Sequence, residues 1–145
     1  MTTPFTSDAE ITAIGEGIVG LTLPKSAWTH AAHFAAAVWL IARQSAIDPE
    51  RDMPGLIRAY NTATGVPNTD TGGYHETITQ ASLRATRAFL ASPPEGTSLF
   101  AACNALLATD LGKRDWLLAY WTRERLFSAE ARRGWVEPDL KALPF

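Results

Sequence analysis

The segment AWTHAAHFAAAVWLIARQ, residues 27–44, decides the fold of this chain. Between Ala31 and Ala42 only His33 interrupts a run of apolar side chains, so the helix predicted here is apolar on nearly every face. The run is also too short to cross a bilayer, which takes roughly 20 residues. We therefore predict a central helix that is buried by other helices.

Segments with helical periodicity flank this central helix on both sides. Ser7 and Glu10 have the spacing of a capping box, Ser26 is the expected cap of the central helix, and Asp48-Pro49 is a typical helix start. The predicted helices cover residues 8–19, 27–44, 49–64, Tyr74 up to Ser92-Pro93-Pro94, 99–107 and 116–127, with Ser128 capping a last short turn.

The remaining stretches of the chain predict no further regular structure. Residues 65–73 are dense in turn residues and predict a surface loop, and such loops often border sites. The tail, residues 136–145, has two prolines and is expected to lie extended, burying Leu140, Leu143 or Phe145. The sequence thus predicts an all-α fold, a compact single-domain bundle of about six helices over residues 1–145 with an extended C-terminal tail.

Composition narrows the classes of function. The chain has 145 residues, 46% of them hydrophobic, with 13 basic and 15 acidic residues and a net charge of -2. This balance favours neither nucleic acid nor a membrane as partner. Cys103 is the only cysteine and residues 1–8 lack the pattern of a signal peptide, so we expect a cytoplasmic protein without disulfides. The sequence leaves open whether the chain forms a homodimer.

The three histidines form the only candidate chemical constellation. They lie in WTHAAHF, residues 28–34, and GGYHET, residues 72–77, both near predicted helix N-termini. Helix positions three apart are neighbours, so His30 and His33 can present imidazoles to one ion, and His75 is the obvious third ligand. Three imidazoles with an open position would suit zinc, iron, nickel or copper.

A small-molecule ligand is the other occupant that these motifs allow. Near the histidines, the residues expected to contact such a ligand are Trp28, Thr29, Asn61, Tyr74 and Glu76. For Glu76 a structural role is favoured, because with Gly73 as the helix cap it occupies the third helical position and can bond back to the cap amide. All three histidines can equally be structural groups that hydrogen-bond the protein.

The two histidine motifs, together with RERLFS at residues 123–128, resemble an uncharacterised family of small bacterial all-helical proteins. The resemblance covers most of the chain from Trp28 onward and implies no catalytic assignment. Two hypotheses follow from the residues. In the first, the chain is a metal-binding or small-molecule-binding protein or enzyme centred on its histidines. In the second, it is a non-catalytic helical interaction module with structural histidines.

Overall fold

The computed structural model describes residues 4–43, 46–91 and 97–145 of the chain, and in these ranges every regular element is helical. The helices are α1 (Asp8–Val19), α2 (His30–Arg43), α3 (Pro49–Ala63), α4 (Glu76–Leu90), α5 (Leu99–Leu107), α6 (Arg123–Leu126) and α7 (Ala129–Arg133). Short 3-10 turns cover Lys25–Ala27, Asp110–Gly112 and Trp116–Ala119. The all-α prediction is confirmed.

Helix α2 is the central helix that the sequence predicts. It packs against α1, α3, α4 and α5, and its residues 34–40 are all buried. Helix α1 approaches it closely at Gly15, where a Cβ atom would lie 2.2 Å from the ring of Trp39. Glycine is therefore required at this helix crossing, because any larger side chain displaces the indole.

Helices α3 and α4 are tied together at Glu50. Pro54 lies inside α3 and has no N–H, so the carbonyl of Glu50 loses its intrahelical partner. The side-chain amide of Gln80 on α4 donates to that carbonyl at 3.1 Å. The carboxylate of Glu50 also accepts two hydrogen bonds from Arg87, both at 2.7 Å. The missing helical bond is thus replaced by a bond between helices.

Most of the predicted helix starts are confirmed. Ser7, Asp48, Ser98 and Ser128 each accept a hydrogen bond from a backbone N–H in the first turn of their helix. The capping box at Ser7 is only half formed, since the Glu10 carboxylate bonds the backbone N–H and hydroxyl of Thr6 instead.

The central helix starts later than its apolar pattern suggests, and Ser26 as its cap is wrong. Residues 25–27 form a 3-10 turn, with the Ala27 N–H bonded to Pro24 O and the Trp28 N–H to Lys25 O. The α-helical pattern begins at Thr29, whose hydroxyl accepts from the Ala32 N–H at 3.1 Å. The predicted last residue, Gln44, and the predicted stop at residues 92–94 lie outside the described residues.

The single helix predicted over residues 116–127 is wrong. It is a 3-10 turn, then a break, then α6, which begins after Thr122. Asp139 in the tail accepts from both the backbone N–H and the hydroxyl of Thr122, each at 2.7 Å. This contact with a distant part of the chain fixes Thr122 in an extended conformation and as the cap of α6, which interrupts the helix.

The C-terminal tail runs without regular structure over the bundle, as predicted. The hydroxyl of Thr77 donates to Gly134 O at 2.9 Å and accepts from the Val136 N–H at 3.2 Å, while the Trp121 indole donates to Val136 O at 3.0 Å. Leu143 and Phe145 are partly buried against the core. Leu140 is 54% exposed, so Leu143 and Phe145 are the tail side chains that pack on the core.

Candidate ligand-binding cavity

A cavity of about 270 Å³ lies between α2, α3, α4 and the turn Trp116–Ala119. Its wall is mainly apolar and aromatic, with a few polar side chains. The lining residues are Trp28, His30, His33, Phe34, Ala37, Met53, Ile57, Ile78, Thr79, Ser82, Leu83, Arg114, Trp116 and Leu117. A second, more open pocket shares Trp28, His30 and Arg114 with the first and also includes Thr29. Trp28, His30 and Arg114 therefore lie between two adjacent hollows.

The first turn of α2 places both of its histidines in the cavity wall. His30 donates from Nε2 to the carbonyl of Leu111 at 2.9 Å, and His33 donates from Nδ1 to the carbonyl of Thr29 at 2.7 Å. Because a carbonyl can only accept, the nitrogen that makes each of these bonds carries a proton. Nδ1 of His30 and Nε2 of His33 have no hydrogen-bond partner among the described residues, so each is available to accept a bond from a ligand.

His33 lies at the cavity mouth against Trp28. The two ring centroids are 3.7 Å apart at an interplanar angle of 31°. Although the residue as a whole is exposed, loss of water around the ring lowers the pKa of His33 below 6.5, and the positive charge of Arg114 acts in the same direction. The remaining exposure limits the shift, and the imidazole is neutral at pH 7.

Arg114 is the residue of this wall that sequence reasoning missed. It lies in the lining of both hollows, is exposed, and has no hydrogen-bond or ion-pair partner among the described residues. In the sequence it is one member of Lys113-Arg114-Asp115, which is indistinguishable from an ordinary solvated charge cluster. Arg114 can be recognised as a wall residue only from the structure, because the segment before the turn Trp116–Ala119 lies beside α2.

His75 lies away from this cavity and is fully engaged by the protein. Its Nδ1 accepts from the Ile78 N–H at 3.2 Å, so it is the N-cap of α4, and its Nε2 donates to the carbonyl of Leu126 at 2.6 Å. Burial lowers the pKa of His75, and the neighbouring Arg132 contributes in the same direction. Both bonds together require the neutral Nε2–H tautomer.

The start of α4 therefore differs from the prediction. The cap is His75 and not Gly73, and Glu76 is the first helical residue instead of the third. The Glu76 carboxylate accepts a hydrogen bond from the Tyr74 hydroxyl. The pKa of Tyr74 is raised mainly because the phenol is buried, and the hydrogen bond to Glu76 raises it further. Gly73 has a φ of 81° and lies against Pro67 O, where a Cβ would lie only 2.4 Å away. It closes the preceding loop.

Asn61, the remaining predicted ligand contact, organises that same loop. Its side-chain amide donates to Asn68 Oδ1 at 3.0 Å, and the same oxygen accepts from the Tyr74 N–H at 3.0 Å. Asn68 also donates to Arg58 O at 3.1 Å. Asn61, Tyr74 and Glu76 thus form a network of their own and lie outside the linings of both hollows.

The predicted site residues fall into two groups in the structure. Trp28, Thr29, His30 and His33 line the hollows, whereas His75 and its neighbours lie elsewhere. Among residues 4–43, 46–91 and 97–145 no three His, Cys, Asp or Glu side chains are placed to hold one metal ion. Within the same ranges, no helix has the length and apolar character of a bilayer span.

Comparison with known proteins adds no family to this description. No protein-family model matches the chain, and neither a curated protein nor a solved structure is significantly similar to it. The resemblance to small bacterial helical proteins stays a prediction. The functional argument therefore rests on the cavity and its lining.

Proposed function

We propose that this protein binds a small organic molecule in the cavity between α2, α3 and α4. The observation that carries the proposal is the wall itself, in which apolar and aromatic side chains surround a few converging polar groups. Ligand sites of proteins have this composition and typically enclose about 300–1,000 Å³. At about 270 Å³, the cavity is suited to a ligand at the small end of this range.

The polar groups of the wall would orient the ligand. Nδ1 of His30 and Nε2 of His33 are free to accept hydrogen bonds, and Ser82 contributes a hydroxyl from α4. Trp28, Phe34 and other apolar residues would bury the body of the ligand, which contributes about 25 cal/mol per Å² of apolar surface removed from water. The arrangement provides orientation as well as affinity.

A transition metal is the second candidate, and one observation favours it. Metal-binding histidines usually donate their second ring nitrogen to a carbonyl or carboxylate, as both His30 and His33 do. The described residues supply only two such ligands at this position, so zinc, iron, nickel or copper would need others from solvent or a bound molecule. Elemental analysis of untagged protein, with His30→Ala beside it, tests this candidate.

The fluorescence of N-phenyl-1-naphthylamine tests the main proposal, because this uncharged probe becomes bright in apolar surroundings. We expect saturable binding to the wild-type protein and loss of that binding in Ser82→Leu, which fills the cavity from α4. Ala88→Leu is the matched control, since Ala88 lies on the exposed side of the same helix. Absence of saturable binding, or equal binding by both variants, would contradict the proposal.

The location and assembly of the protein stay predictions. The cytoplasmic location is an expectation from the sequence alone. The single cysteine, Cys103, is a buried free thiol, and burial raises its pKa to about 12. That thiol is not a nucleophile at neutral pH. A role as a helical interaction module, with or without a second copy of the chain, is the alternative if the cavity binds nothing.

A further inference from the structure

The permanent charge in the walls of the two hollows is of one sign, positive. Arg114 is the only permanently charged side chain in either lining, and neither lining includes an aspartate or glutamate among the described residues. A ligand in the cavity therefore meets a cation at the mouth and no carboxylate that competes with it. This observation concerns the same cavity as the proposed function, and the inference drawn from it rests on that function.

Arg114 also differs from most other arginines in the described part of the chain, because it has no hydrogen-bond or ion-pair partner there. Arg51, Arg87 and Arg133 form ion pairs with carboxylates, and Arg125 donates to the carbonyl of Glu137. The neighbouring Lys113 is likewise paired, with Asp110 at 3.2 Å. The guanidinium of Arg114 has no such contact among the described residues, so its donors are available to an external anion.

We propose that the ligand of this cavity is an organic anion, with a carboxylate bound by Arg114 and an apolar body enclosed by the wall. A guanidinium presents two parallel N–H donors that match the two oxygens of a carboxylate. The rest of the lining is mainly apolar and includes Trp28, Phe34 and Leu117. In such a ligand the carboxylate would pair with Arg114 and the apolar body would contact the apolar side chains of the wall.

Two compounds of nearly the same shape, one anionic and one neutral, test whether the cavity prefers an anion. 1-Naphthoate and 1-naphthamide share their aromatic body and differ in charge, and each is titrated as a displacer of bound N-phenyl-1-naphthylamine. We expect naphthoate to displace the probe at about fivefold to tenfold lower concentration than naphthamide, the range for a charge-assisted hydrogen bond at a partly wet site. Raising the salt concentration should reduce the difference, because Arg114 is exposed.

Substitution of the two adjacent cations assigns the preference to a residue. Arg114→Gln should bring the ratio of the two displacers close to one while N-phenyl-1-naphthylamine still binds, and Lys113→Gln should leave the ratio unchanged. Equal displacement by both compounds in the wild type, or an unchanged ratio in Arg114→Gln, would overturn the anion inference and leave the proposed function standing. Failure of the uncharged probe to bind at all would overturn both.

Discussion

Replacement of His75 by alanine should destabilise the protein strongly, although this residue lies outside the cavity. The substitution removes the cap of α4, which costs about 1 kcal/mol. It also leaves the buried carbonyl of Leu126 without its donor, which costs roughly 1–3 kcal/mol. The expected loss is about 3 kcal/mol in the free energy of unfolding, or a fall of about 9 °C in Tm for a chain of this size.

Urea denaturation followed by circular dichroism measures this loss, and His75→Asn separates its two parts. Asparagine is a good N-cap but is too short to make the bond to Leu126, so it should recover about 1 kcal/mol of the alanine defect. A His75→Ala protein within 1 kcal/mol of the wild type would refute the reasoning. So would a His75→Asn protein no more stable than the alanine variant.

The same two bonds predict how stability depends on pH. Protonation of Nδ1 would remove the acceptor of the cap, and burial already lowers the pKa of His75 below its usual 6.5. Since the unfolded chain takes up the proton more readily, the contribution is complete above about pH 6.5 and is lost as the pH falls below it.

The rate of this loss is at most about 1.4 kcal/mol per pH unit for one group. Arg132 is the charged neighbour that opposes protonation of His75, and His33 adds a loss of the same sign because its pKa is also lowered. In His75→Asn the decline between pH 7 and pH 5 should be shallower than in the wild type. Parallel curves of unfolding free energy against pH would contradict this assignment.

Three further substitutions test the packing of α1 on α2 and the hydrogen bonds that hold the tail. Gly15→Ala should cost about 1–3 kcal/mol, because its Cβ would lie 2.2 Å from the Trp39 ring, whereas Gly55→Ala in the exposed middle of α3 should stabilise by about 0.5–1 kcal/mol. Equal effects in thermal melts would contradict the close approach of α1 and α2. Thr77→Val keeps the shape but leaves backbone groups of residues 134 and 136 unbonded, so chemical denaturation should show a loss of about 2 kcal/mol; an unchanged midpoint would refute the role of this hydroxyl.

Local patterns predicted most of the fold. The apolar run of α2, the cap at Asp48 followed by proline, and the cap at Ser128 all act within a few residues, and each prediction is confirmed in the structure. Two of the errors occur where a distant contact decides the local conformation. Asp139 accepts a hydrogen bond from Thr122, and the predicted sixth helix is interrupted there. The carbonyl of Leu126 accepts a hydrogen bond from His75 and so holds this histidine as the cap of α4.

The part of the candidate site formed by residues close together in the chain was also predictable from the sequence. Trp28, His30 and His33 line one cavity because they are neighbours along the start of one helix, which the sequence shows directly. Whether His75 would join them depended on how α4 and α6 pack. The role of Arg114 depended on where a short turn lies relative to α2. Neither arrangement leaves a periodic or compositional signal in the sequence.

The bond that joins α3 to α4 at Glu50 also bears on the route of ligand binding. Because Gln80 and Arg87 hold both the carbonyl and the carboxylate of Glu50, these two helices form one stiff side of the cavity. On the opposite side, the hydrogen bond from His30 to the carbonyl of Leu111 joins α2 to the segment that precedes residues 113–119. We therefore expect a ligand to enter and leave past residues 113–119, while α3 and α4 keep their relative positions.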